Sequence, residues 1–205
     1  MKKIAKLSLV AAMAVAGLTN VNAASLEEAI KGVSVSGQFQ FRAEEKNTTD
    51  TYTDVEIEIG VKVPVTENVT AVFKIDNAND DVDGSVAKGV VSIEDYYFSY
   101  NNGDLTVNAG QLNTPTRMTY ATQGDGIVAL YNLGSVTLGA STFMNTNIEA
   151  SGAQLNTVMA AGTAGPISLS AQYADVADFA SAFNVKADTK AGPVSMSLEY
   201  TEKDL

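Results

Sequence analysis

The chain has 205 residues, with 24 acidic against 13 basic side chains and no cysteine, histidine or tryptophan. That excludes a disulfide framework, thiol chemistry, a Ser-His-Asp or Cys-His pair and an HExxH motif. A net charge of −11 also argues against a nucleic-acid partner.

In chain order, the N-terminus comes first. Lys2, Lys3 and Lys6 precede an apolar run, residues 7–18, broken only by Ser8 and Gly17. Val21 and Ala23 then stand where a signal peptidase reads small residues, so residues 1–23 read as a secretory signal peptide cleaved between Ala23 and Ala24. The run is short for a transmembrane anchor. Residues 24–205 form one β domain. Without the three signal lysines, ten basic residues face 24 acidic ones, a net charge near −14.

Residues 25–31 read as a short helix, with Ser25 as cap and Glu28 at the capping-box position. Over residues 33–45, Val33, Val35, Gly37, Phe39 and Phe41 alternate with Ser34, Ser36, Gln38, Gln40 and Arg42, the period of a strand with one apolar and one polar face. Residues 52–63 repeat the pattern, with Val55, Ile57, Ile59, Val61 and Val63 against Asp54, Glu56, Glu58, Gly60 and Lys62. A tight turn over 64–68 leads to 69–76, where Val69, Ala71, Phe73 and Ile75 oppose Thr70, Val72, Lys74 and Asp76. A polar loop follows over 77–88. The strand over 89–100 has no clear phase, because Glu94 and Asp95 are adjacent. After a turn over 101–104 come a fifth strand, 105–111, and a Thr/Gly-rich loop, 113–126. Strands near 127–132, 136–143, 156–161, 167–175, 182–189 and 194–202 bring the count to ten or eleven.

Two stretches, AGPISLSAQY from Ala164 and AGPVSMSLEY from Ala191, state the repeating unit openly. Gly-Pro is turn chemistry, and an alternating strand ending in an aromatic follows. The turn glycines Gly103, Gly134, Gly165 and Gly192 are 31, 31 and 27 residues apart, room for two strands, a tight turn and a loop. Short turns at one end and longer, more polar loops at the other suit an all-β antiparallel transmembrane barrel. So do aromatics near strand ends: Tyr96, Tyr97, Phe98, Tyr100, Tyr173 and Tyr200. A soluble β-sandwich with those aromatics in its core is the competing reading.

The N-terminal stretch MKKIAKLSLVAAMAVAG, followed by ASLEEAIKGVSVSGQFQFRAE, resembles the start of the Campylobacter-type major outer membrane porins. AGQLNTPT (109–116) is similar to the end of the fifth strand where such porins begin an inward-folded loop, and GIVALYNLGSVTLGASTF continues in the same style. The resemblance implies an eighteen-stranded trimeric barrel in the bacterial outer membrane, with a water-filled pore for ions and small hydrophilic solutes. Family members are about twice as long and end in an aromatic residue, whereas this chain ends EYTEKDL. It therefore reads as the N-terminal part of a larger barrel.

A pore needs charge in its lumen and no covalent chemistry. The loop after the fifth strand is the constriction candidate, with Arg117 and Asp125 as its charges. Arg42, Lys62 and Lys74 share the polar phase of the wall with Asp54, Glu56, Glu58 and Asp76, so basic wall residues facing an acidic loop would set a transverse field. Asn79, Asp81, Asp83 and Gly84 match the opening of a calcium loop, but its twelfth position is Val90 rather than Glu, so the stretch reads first as an acidic solvent loop or an intersubunit latch. The expected function is a passive, cation-preferring channel, with no cofactor and no enzymatic activity. Its expected partners are outer-membrane lipid, small cations and solutes, and two further copies in a homotrimer. A structural or adhesive surface barrel, binding host or matrix through its long loops, is the alternative.

Overall fold

A computed structural model describes residues 31–47, 50–77, 91–118, 122–148 and 152–204, with the side chains of 42–47 and 50–55 outside the description. The signal peptide with Ala23 and Ala24, most of the expected short helix, and the calcium-like Asn79, Asp81 and Asp83 lie outside the described residues. Among the described residues eleven strands follow one another: β1 (Ser34–Asn47), β2 (Asp50–Pro64), β3 (Val69–Asp76), β4 (Ser92–Asn101), β5 (Leu105–Asn113), β6 (Gln123–Asn132), β7 (Val136–Met144), β8 (Leu155–Ala164), β9 (Ile167–Val176), β10 (Ala180–Ala191) and β11 (Val194–Asp204). Each pairs antiparallel with its sequence neighbour, giving one sheet in the order β1 to β11, with β1 and β11 at its edges.

Register follows the alternation. Gln38 pairs with Glu58, Phe39 with Ile57 and Ser34 with Lys62, so polar residues oppose polar ones and apolar oppose apolar. A slip of one residue would turn the whole apolar set of a strand to the wrong face. The apolar face stays open to its surroundings: Phe39 is 69 % exposed and Leu198 75 %. Exposed apolar bands of this extent are stable only in lipid, where a sheet's internal hydrogen bonding satisfies its backbone.

The strand with unclear phase contains a bulge. Lys74 pairs with Asp95 and Ile75 with Ile93, leaving Glu94 as the extra residue. A bulge sets two residues of one strand against one of its partner, which is why both carboxylates fit and the two-residue period fails. Of the expected girdle aromatics, Tyr96, Phe98, Tyr100, Tyr173 and Tyr200 stand exposed among the large apolar side chains. Tyr97 does not. It pairs with Val72 and Gly110 on the other face and packs there against buried residues.

The links differ at the two ends of the strands. At one end Gly103, Gly134, Gly165 and Gly192 hold φ of 99°, 85°, 61° and 61°, the left-handed region where a β-carbon is costly. Two of these turns carry an Asx brace: Asn101 and Asn132 accept from the amides of Gly103 and Gly134, each at 2.8 Å. At the other end, 77–91, 114–122 and 145–154 are long. The β9–β10 link there is short, however, covering only residues 177–179.

Candidate pore constriction

The polar face is charged over β10 and β11, where Lys186 pairs in register with Glu199 and its Nζ lies 2.9 Å from Asp188 Oδ2, and elsewhere it carries two different surfaces. Over β1 to β4 it is charged. Lys74 sits between two carboxylates, its Nζ 3.2 Å from Glu58 Oε1 and 2.5 Å from Glu94 Oε2. The bulge makes this possible by bringing Glu94 towards the cation, and Gln123 Nε2 donates to its other oxygen at 2.8 Å. Lys62 pairs in register with Ser34 and Val72 on this face and has no ion pair with a described carboxylate. Glu56 pairs in register with Gln40 on the same face, and Arg42 pairs in register with Asp54. With Asp76 and Asp95 counted, the polar face of β2 to β4 is acidic on balance.

Over β5 to β9 the same face is apolar near the long-loop end. Leu112, Val128, Phe143, Leu155, Ala174 and Val176 form a buried cluster, with Phe143 and Leu155 fully inaccessible. Two loops cover it. Met118 packs on it from the 114–122 loop, and Ile148 and Ala153 from the 145–154 loop. Beside it Ser141 and Thr157 share a hydrogen bond of 2.6 Å, so the buried hydroxyls are satisfied.

Residues 115–118 of the loop are therefore turned onto the polar face, and Arg117 is held far from the loop's root. The Arg117 amide donates to Gln172 Oε1 of β9 at 2.9 Å, and Gln172 Nε2 donates back to the Pro115 carbonyl. Arg117 Nε lies 3.5 Å from Glu199 Oε1 of β11. Glu199 is itself held by Asn184 Nδ2 of β10 at 2.8 Å, and the same amide donates to Thr201 at 2.7 Å.

These contacts fix the curvature. On a flat sheet β5 and β11 would stand roughly 29 Å apart, six spacings of about 4.8 Å. Four residues from the end of β5 span at most about 14 Å, to which two long side chains add roughly 10 Å. The Arg117–Glu199 contact closes only if the sheet curls with its polar face inward.

Placed on this geometry, the sequence-derived residues separate. Glu56, Glu58, Lys62 and Lys74 share the concave face, and Arg117 reaches into it. Asp125 does not. It lies within β6, in the outward phase between Gln111 and Met144, and accepts from Asn145 Nδ2 at 3.2 Å. The loop expected to run to residue 126 ends at 122, and Arg117 is its only charge. The described charges are thus arranged the other way round from the expectation, with a basic residue on the loop and a mainly acidic polar face over β2 to β4. Gln172, Asn184, Glu199 and Glu94 were not singled out from the sequence. The first three sit in regular polar-phase positions with nothing local to mark them, and the bulge that repositions Glu94 depends on a partner strand.

A family description, the Campylobacter major outer membrane protein, matches residues 1–202, and the chain belongs to that family. No curated protein matches the chain. Among solved structures, a loop L8 deletion mutant of OmpT, an outer membrane protein of Vibrio cholerae, is 12 % identical with a TM-score of 0.59, over 83 % of this chain and 69 % of its own. OccK8 (OprE) of Pseudomonas aeruginosa is 10 % identical with a TM-score of 0.63, over 84 % of this chain and 54 % of its own. A mutant of the Rh. blastica porin is 17 % identical with a TM-score of 0.56, over 82 % of this chain and 73 % of its own. The fold is that of outer-membrane porin barrels, and the protein is a porin-like protein of the outer membrane.

Proposed function

We propose that this member of the Campylobacter major outer membrane protein family lines a water-filled, cation-preferring channel for ions and small hydrophilic solutes, with the 114–122 loop as its constriction. One observation carries the reading: a loop that could lie outside the barrel instead reaches across the polar face to Gln172 and Glu199. A loop in that place narrows the water column and leaves open the charged side of the lumen, over β1 to β4. Glu56, Glu58, Asp76, Glu94 and Asp95 there outnumber Lys62 and Lys74. In a water column with low-dielectric walls that balance concentrates cations. The chemistry is passive, so no side chain is assigned a catalytic role.

The test is conductance of the purified outer-membrane protein in a planar lipid bilayer. Discrete steps, with a reversal potential of cation sign under a salt gradient, support the proposal. No steps would remove the channel reading, and a reversal potential of anion sign would remove the cation preference.

A further inference from the structure

We infer that Gln172 is the positioning residue of the constriction, acting as an amide clamp that holds the 114–122 loop in the lumen; this rests on the channel reading above. Gln172 lies on the concave face of β9, where its register partners are Met159 and Asn184, and it is 6 % exposed. Its carboxamide meets two backbone groups of the loop at once, accepting from the Arg117 amide at 2.9 Å and donating to the Pro115 carbonyl. Only one orientation of the amide satisfies both, because the Arg117 N–H can only donate and the Pro115 carbonyl can only accept.

The other fastenings of the loop are of a different kind. Arg117 and Glu199 form an ion pair at 3.5 Å with both side chains more than a third exposed, the type that contributes little and fades in salt. Met118 rests on the apolar cluster, which is non-directional and leaves the loop free to slide. Among the described residues the clamp is the directional, neutral tie between the loop and β9, and as a nearly buried pair of hydrogen bonds it is insensitive to ionic strength. Glutamine is the shortest side chain that offers both an acceptor and a donor at this reach. Methionine matches its length and volume with no donor and only a weak thioether acceptor.

The test uses Gln172→Met in the full chain, with Ser168→Ala on the same face of the same strand as control. Arg117–Met118 is a trypsin site within the loop. In the folded wild-type protein the clamp protects it. In Gln172→Met, cleavage after Arg117, read by mass spectrometry of the detergent-solubilised protein, should rise roughly tenfold or more, as expected from two lost hydrogen bonds. Single-channel conductance should rise with added open-channel noise. Faster cleavage with unchanged conductance leaves the clamp standing and overturns the constriction reading. Unchanged cleavage and unchanged conductance overturn the clamp. If Gln172→Met does not fold, hydrogen exchange in the wild type decides: the Arg117 amide should be protected, and exchange at the rate of an unstructured peptide overturns the inference.

Discussion

Lys62→Glu tests the electrostatic reading most directly. Lys62 stands on the concave face with no described carboxylate paired to it, so its replacement rearranges no ion pair. The change shifts the wall charge by two units. A unit charge about 7 Å from the path of an ion interacts in water with about 0.6 kcal/mol, close to thermal energy. With a Debye length of about 10 Å at 0.1 M and about 3 Å at 1 M, this falls to roughly 0.3 and 0.06 kcal/mol. Two units act on cations and oppositely on anions, so the cation-to-anion permeability ratio should rise about eightfold at 0.1 M and only about 1.5-fold at 1 M. The assay is the reversal potential across a planar bilayer under a fixed salt ratio, at low and high mean concentration. An unchanged reversal potential at low salt would take Lys62 out of the pore. A shift of equal size at both concentrations would refute screening by lumen water. Arg117→Glu is a less direct test of lumen charge, because it also sets a carboxylate against Glu199 and disturbs the loop.

Three further expectations follow from other parts of the molecule. Lys74→Met removes the cation between Glu58 and Glu94, and should raise the permeability ratio about threefold at 0.1 M, as one unit of charge rather than two; a lower ratio would place those carboxylates off the ion path. Phe143→Ala empties the centre of the apolar cluster under both loops and should cost about 3–5 kcal/mol, measured as a lower denaturant midpoint by tyrosine fluorescence; a midpoint within error of wild type would mean the cluster does not hold the loops. Mass spectrometry of an outer-membrane preparation should find the mature chain beginning at Ala24; a chain beginning at Met1 or Lys2 would refute export by cleavage at Ala23.

What the sequence determined by itself is everything that repeats every two residues. Alternation such as Val55 to Val63 against Asp54 to Lys62 sets which face is polar, and, with turn glycines at regular intervals, the number and order of the strands. These features are local: a pleat and a left-handed turn need only adjacent residues. The tertiary structure decided what depends on strands far apart in the chain. Glu94 is displaced because β3 supplies one residue where β4 supplies two, and the resulting ion pair with Lys74 has no signature in either strand alone. Asp125 looks like a loop charge until the pairing of β5 with β6 carries the strands past it to Gln123 and turns it outward. Phe143, Leu155, Val128 and Leu112 occupy the phase that β1 to β3 reserve for polar groups, which makes sense only once two loops fold over them and exclude water. Gln172 and Glu199 are two polar residues among many until curvature brings the end of β5 within reach of β9 and β11. Curvature belongs to the whole sheet and to no single strand, so the site it creates could not be read from any one of them.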